Sequence, residues 1–360
     1  MNSNKGLPKK YGGFFSMRFA LFMIAFILQS CSSTTAASPT KIVYQFTPTS
    51  EPKSVTPNNT PKATPPFSDN EEIGHVEESL VSINTLPSGS YIVYCSFNEL
   101  DDNYGNSLFV MDPNGDVYGM LADDACRSSI SLDDTLLVFD RRDWSRMDYY
   151  LIIFELETGN ERVVPNSLGC SEGSFGPSND RIVTACQNNI FVIELVSGSK
   201  RMIDDCEARG GACGSPVWSP DGRYIIYDYL QSFSPNSGVF LLDTDCIESL
   251  TDCSPSRIAS PNFGFYSWSP DSSVVASLAE EGAITLFDIP SGKTQKLILP
   301  VTASARGIAF STNGRELAIT LEGDQKESYR IFLFNLEDGE AKYIGDSTYH
   351  KGVMFWLDRP

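Results

Sequence analysis

Three sets of residues in this 360-residue chain have types and spacings that could do chemistry. They are the pentapeptide Gly169-Cys-Ser-Glu-Gly173, nine cysteines, and a series of paired aspartates. The pentapeptide matches Gly-x-Ser-x-Gly, in which a serine is raised on a strained strand-to-helix elbow and deprotonated by a histidine. Here the surrounding residues read as strand and no helical pattern follows. The chain holds two histidines, His75 and His350, far apart in sequence. The match is expected to be coincidental, and no catalytic residue is assigned. The histidines lack metal-ligand spacing, so no metal site is assigned either. The pairs Asp101-Asp102, Asp123-Asp124 and Asp204-Asp205 could attract Ca²⁺ or a basic partner. None has the Asp-x-Asn-x-Asp-Gly spacing of a calcium loop, so an acidic, solvated rim is their expected role and no cofactor is expected.

Charge narrows the partners. The chain carries 27 Lys+Arg against 46 Asp+Glu, a net −19. The four charges in the first thirty residues (Lys5, Lys9, Lys10, Arg18) are all basic, so without them 23 basic groups face 46 acidic ones, a net −23. Nucleic acid is not an expected partner, because its affinity rests on Lys and Arg neutralising phosphates. A negative surface favours solubility and cationic partners.

The N-terminus reads as an address followed by a leash. A basic end at Met17-Arg18 precedes the apolar run Phe19–Leu28, which has the length of a signal-peptide core and is too short for a membrane-spanning helix. Leu28-Gln29-Ser30-Cys31 resembles the lipobox of bacterial lipoprotein precursors. That resemblance implies a diacylglyceryl group on Cys31, the first mature residue, and an extracytoplasmic protein whose membrane contact is the lipid anchor alone. Residues 31–70 are dense in Ser, Thr, Pro and Asn, a composition that buries too little apolar surface to fold and makes an extended tether. Residues 71–86 form a lead-in.

From Pro87 to Pro360 one unit recurs. Its clearest copies are Ser215-Pro-Val-Trp-Ser-Pro-Asp-Gly-Arg-Tyr-Ile-Ile-Tyr-Asp-Tyr229, then Phe265–Leu278 and Gly307–Thr320, with fainter ones at Ser128–Phe139 and Gly173–Thr184. The anchors Ile130, Phe175, Trp218, Trp268, Phe310 and Trp356 are spaced 45, 43, 50, 42 and 46 residues apart, the period of a four-stranded propeller blade. Each unit has a short first strand, a Pro-Asp-Gly-type turn, and two β-rich strands. Gly115, Gly159, Gly198, Gly292 and Gly339 mark the next turn, and the remaining unit has Cys246 there. The first unit lacks an opening strand, while the chain ends on one, Gly352-Val-Met-Phe-Trp356. Joining the two closes a ring of six blades and leaves no open edge. The expected fold is all-β: a six-bladed β-propeller, four antiparallel strands per blade. The Trp-Ser-Pro-Asp-Gly unit resembles the repeat of TolB-like, WD40-like bacterial propellers, a resemblance confined to the propeller.

Besides Cys31 there are eight cysteines, an even number that in an exported chain points to disulfides. Cys206 and Cys213 share one inter-blade connection and can pair easily. Cys246 sits in a turn at the other end of its blade. A strand of seven residues spans about 23 Å at 3.3 Å per residue, while a disulfide allows only about 4.4–6.8 Å between Cα atoms. Cys246 and Cys253 can therefore pair if they clip an enlarged turn and Arg257–Ser260 is the true fourth strand. Cys170–Cys186 fits a cross-strand pair, leaving Cys95–Cys126. The competing reading is buried free thiols.

The function expected is a lipid-anchored binding or scaffolding propeller that engages a protein or peptide partner with one face, by analogy of fold. The alternatives are a propeller hydrolase or lyase acting on carbohydrate or peptide, and a sensor of small ligands.

Overall fold

The computed structural model describes residues 80–97, 106–143, 145–232, 234–260, 266–278, 283–299, 305–322, 329–347 and 352–359. Cys31, the tether, His75, His350, Asp101 and Asp102 lie outside them.

Among the described residues, twenty-four strands form six four-stranded antiparallel sheets. Blade 1 contains β1 (Gly89–Phe97), β2 (Asn106–Met111), β3 (Val117–Ala122) and the last strand of the chain, β24 (Val353–Arg359), in the order β24-β1-β2-β3. Blade 2 is β4 (Ser129–Ile130), β5 (Leu136–Asp143), β6 (Asp148–Glu155) and β7 (Glu161–Val163). Blade 3 is β8 (Cys170–Phe175), β9 (Arg181–Cys186), β10 (Asn189–Glu194) and β11 (Lys200–Asp204). Blade 4 is β12 (Ala212–Trp218), β13 (Tyr224–Leu230), β14 (Gly238–Asp243) and β15 (Ser256–Ala259). Blade 5 is β16 (Tyr266–Trp268), β17 (Val274–Leu278), β18 (Ala283–Asp288) and β19 (Lys293–Ile298). Blade 6 is β20 (Ala305–Phe310), β21 (Glu316–Glu322), β22 (Tyr329–Asn335) and β23 (Ala341–Ser347). The six-bladed expectation holds, including closure: Trp356 of β24 pairs with Ile92 of β1.

The anchors hold one register throughout. Ile130 faces Leu137, Phe175 faces Ile182, Trp218 faces Ile225, Trp268 faces Val275 and Phe310 faces Leu317. Buried apolar side chains gather in six clusters, one at each junction between neighbouring blades. The indoles also stitch blades together. Trp268 Nε1 donates to Val217 O at 3.4 Å, and Trp356 Nε1 to Ala309 O at 3.2 Å. In both cases the acceptor immediately precedes the anchor of the blade before.

A local hydrogen-bond device explains the turn that repeats. The hydroxyls of Ser131, Ser219 and Ser269 donate to Asp133, Asp221 and Asp271 at 2.7, 2.7 and 2.6 Å, and Ser311 contacts Asn313 Oδ1 at 2.9 Å. Each hydroxyl also accepts the amide five residues on, at 2.9–3.0 Å. The serine thus starts the second strand and the carboxylate or amide side chain holds the bend. The third residue after each of these serines is left-handed: Asp134, Gly222, Ser272 and Gly314 have φ of 55°, 77°, 60° and 70°. At 222 glycine is needed twice over, since a Cβ would also approach Pro177 Cγ to 2.7 Å.

Blade 4 departs from the repeat where its glycine is missing. A helical turn, Asp245–Glu248, replaces the tight bend, and Cys246–Cys253 clips the loop with Cα atoms 5.2 Å apart. Its fourth strand, β15, follows the clip. Arg201 of blade 3 holds the loop down by donating to Ile247 O at 3.0 Å and Thr251 O at 2.7 Å. Before blade 1, Ile83 and Leu86 are buried against blades 1 and 2.

Candidate functional site

The eight cysteines join as Cys95–Cys126, Cys170–Cys186, Cys206–Cys213 and Cys246–Cys253, with Cα separations of 5.7, 4.1, 5.9 and 5.2 Å. Cys170 and Cys186 face each other across β8 and β9. The Gly169–Gly173 pentapeptide runs into β8 as strand, with Cys170 bonded, so it forms no nucleophile elbow.

The described acidic pairs mark where outer strands lead to the next blade: Asp123-Asp124 follows β3, and Asp204-Asp205 spans the end of β11. Asp123 accepts the Ser107 hydroxyl at 2.6 Å, and Asp124 lies 3.9 Å from Arg141. Asp205 is exposed and accepts the Ala208 amide at 2.9 Å. Asp204 is more enclosed. It accepts the Tyr227 hydroxyl at 2.5 Å and pairs with Arg209, and burial pushes its carboxyl above the usual range. Asp204, Cys206 and Cys213 converge as metal ligands would, but the two sulfurs are bonded to each other and offer no thiolate.

A different set of residues makes the most specialised feature of the ring. First strands neighbour one another around the axis, and three consecutive blades place a left-handed residue at the same distance from the anchor, within the first strand in blades 3 and 4 and just before it in blade 2. Arg127, Glu172 and Ser215 each stand three residues before an anchor, and each is left-handed, with φ of 73°, 57° and 52°. The registers of β8 and β12 slip there, between Ser171 and Ser174 and between Gly214 and Val217. A left-handed backbone costs about 1–2 kcal/mol at a residue with a Cβ, and such strain gathers where a fold positions functional groups.

Side chains of neighbouring blades receive the amides that this kink turns out. Asp140 of β5 accepts the Glu172 amide at 3.4 Å. Glu172 Oε2 in turn accepts the Ser215 amide at 2.6 Å and the Ser215 hydroxyl at 3.1 Å. The Tyr266 hydroxyl of blade 5 donates to Ser215 O. Arg127 stands 3.8 Å from Asp140. One network therefore crosses blades 2, 3, 4 and 5 near the end of the axis where chain connections pass between blades. Burial, with Asp228 and Glu172 nearby, pushes the Tyr266 phenol well above its ordinary range, so it stays a donor at physiological pH. The Ser215 hydroxyl donates to the same Glu172 carboxylate oxygen that accepts the Ser215 amide, which fixes backbone geometry. The arrangement offers oriented donors and acceptors suited to recognition.

None of Arg127, Asp140, Glu172, Ser215 and Tyr266 was singled out from sequence. A signal for one was present. Asp140 and Asp228 end the otherwise apolar second-strand runs Leu-Leu-Val-Phe and Tyr-Ile-Ile-Tyr at the same repeat position, and both are buried. A buried carboxylate demands partners.

No family model matches the chain, and no curated protein matches it. Solved structures do resemble it. TolB from Acinetobacter baumannii aligns with a TM-score of 0.57 at 15% identity, over 75% of this chain and 67% of that one. A putative TolB from Agrobacterium tumefaciens aligns with a TM-score of 0.52 at 12% identity, over 76% and 99%. A chain of a nidogen/laminin complex aligns with a TM-score of 0.51 at 11% identity, over 74% and 97%. At these identities the likeness is one of fold: the chain is a six-bladed β-propeller similar to the TolB structures.

Proposed function

We propose that this chain is a binding propeller, held outside the cytoplasm by a lipidated Cys31, that engages a protein or peptide partner with the end of the ring where its inter-blade connections lie. The observation that carries this reading is the network from Arg127 to Tyr266. Strained backbone and buried partners preorganise it, which lowers the entropic cost of binding. Four disulfides support an oxidising compartment. Leu28-Gln29-Ser30-Cys31 supports the anchor, and the composition of residues 31–70 supports a tether that carries a propeller over residues 87–360. Two TolB structures among the likenesses add weight to a protein partner, as analogy of fold.

Crosslinking and affinity capture on intact cells, with the full chain as bait, tests the reading. A single abundant protein should be recovered, lost with Arg127→Gln and kept with Arg223→Ala in a turn at the other end of blade 4. Cys31→Ser should move the protein from the membrane to the soluble fraction. A bait that captures no protein, or captures it equally with Arg127→Gln at unchanged melting temperature, refutes the binding face. Unchanged membrane retention refutes the anchor.

A further inference from the structure

Blade 2 carries a second feature, next to the network but outside it. Its β5–β6 hairpin stands taller than that of blade 3. Measured from the residues facing the anchors, Leu137 and Ile182, the ladder runs to Asp143↔Asp148 in blade 2 but stops at Cys186↔Asn189 in blade 3. The difference is two residue pairs, about 7 Å at 3.4 Å per residue. Between this raised tip, the outer strand β7 and the connection leading to β8 lies a cleft of about 790 Å³.

The lining of that cleft reverses the charge of the chain. Its charged residues are Arg142, Arg146 and Asp143, in a protein whose net charge is −19. Asp143 is occupied by its own turn: Oδ1 accepts the Ser145 amide at 2.9 Å, the Ser145 hydroxyl at 2.5 Å and the Arg146 amide at 3.2 Å. The same bonds hold its carboxyl below the usual range and keep it ionised. Arg146 contacts Asp143 at 3.7 Å, yet its side chain remains 65% exposed. The Arg142 guanidinium stacks over the Tyr149 ring at 5.9 Å, and Arg127 of the network lies over the same ring at 6.0 Å. The cleft is thereby continuous with the proposed binding end. Its other wall is apolar: Tyr150 lines it with Val163 and Leu168, which are 58% and 45% exposed.

We infer that this cleft binds an acidic, apolar-studded peptide segment of the partner, an inference that rests on the proposed binding function. Two guanidiniums beside one cleft suit carboxylates, which they can grip through paired N–H donors. Exposed Val163 and Leu168 suit the alternate apolar side chains of an extended strand. The partner's main chain can lie along β7, the outer edge of the blade 2 sheet, in the manner of strand addition. At physiological ionic strength charges act over about 8 Å, so the local arginines rather than the overall negative charge govern a ligand seated between them.

The test uses the full chain in detergent micelles and a fluorescein-labelled hexapeptide of alternating Glu and Leu, followed by anisotropy at 150 mM salt. The Glu–Leu probe should bind at least tenfold more tightly than a Gln–Leu probe. Arg146→Ala should weaken it at least tenfold at unchanged melting temperature, Arg146→Lys should recover part of the loss, and 500 mM salt should weaken it further. Equal affinity for the two probes, indifference to Arg146→Ala, or tighter binding of a uronate oligosaccharide overturns the inference. Cell capture separates the two readings. A partner recovered equally by wild type and Arg146→Ala leaves the binding function standing and removes the cleft from it. Probe binding that needs Arg146, with no partner recovered from cells, supports the cleft and refutes the proposed function.

Discussion

Closure of the ring by Trp356 gives the most demanding test of the fold. The side chain is 5% exposed in the cluster between blades 6 and 1, with Ile92, Met111, Ala318 and Leu333. Truncating a buried tryptophan costs about 3–5 kcal/mol, from lost transfer energy and the cavity that remains. Trp356→Ala also deprives Ala309 O of its indole donor, about 1 kcal/mol more at most. We expect Trp356→Ala to lose about 4 kcal/mol, a large part of the 5–15 kcal/mol typical of a domain. Trp356→Phe keeps most of the packing and should lose about 1–2 kcal/mol. Urea unfolding with the disulfides intact, followed by circular dichroism, measures the loss. Hydrogen exchange should show β1 and β24 losing protection before other strands in Trp356→Ala, because the ring opens where its ends meet. Val196→Ala, at a site 97% exposed, should change stability by less than about 0.5 kcal/mol. A Trp356→Ala loss below about 1 kcal/mol, with β1 and β24 still protected, would show that the terminal strand does not hold the ring.

Two further outcomes follow from the junction of blades 1 and 2. Burial raises the carboxyl of Asp134, which accepts the Asp358 amide at 3.1 Å, to about 6 from 3.8. The folded state therefore binds the proton more tightly than the unfolded one, and stability falls as pH rises from about 4 through 6. Asp134→Asn should match wild type below pH 4 and exceed it at pH 7, by no more than about 1 kcal/mol after allowance for solvent screening; a benefit confined to low pH, read from urea midpoints across pH, refutes this. The Cys95–Cys126 bridge closes a separation of 31 residues, so Cys95→Ala/Cys126→Ala should cost about 3–4 kcal/mol by loop-closure entropy, and an unchanged thermal midpoint would contradict that account.

Much of the architecture is written locally. The serine hydroxyl that accepts an amide five residues on, the carboxylate two residues on and the left-handed third residue all lie within one short segment. The turn is therefore visible wherever its letters are, as at Ser219–Tyr224. Repetition of the anchors every 42–50 residues makes the count of six secure, because each blade must bury its faces against neighbours of the same kind. Cys246 and Cys253 were legible for a related reason: a sequence separation of seven leaves room only for a clipped loop or an impossible strand.

Assembly of the ring decided the rest. Glu172 and Ser215 lie 43 residues apart in the chain, yet one carboxylate oxygen holds the amide of the other. Their left-handed backbone carries no glycine to announce it, since neighbouring blades rather than intrinsic preference compensate the strain. Asp204 reads in sequence as one half of an exposed acidic pair, and only Tyr227, brought over from the next blade, encloses it together with the local Arg209. The Arg142–Arg146 cleft likewise exists because a hairpin two pairs too tall leans beside an outer strand. Periodic packing and short-range hydrogen bonds are properties of a segment and can be read from it. Binding surfaces in a propeller form between segments a blade apart, and only the closed ring brings those together.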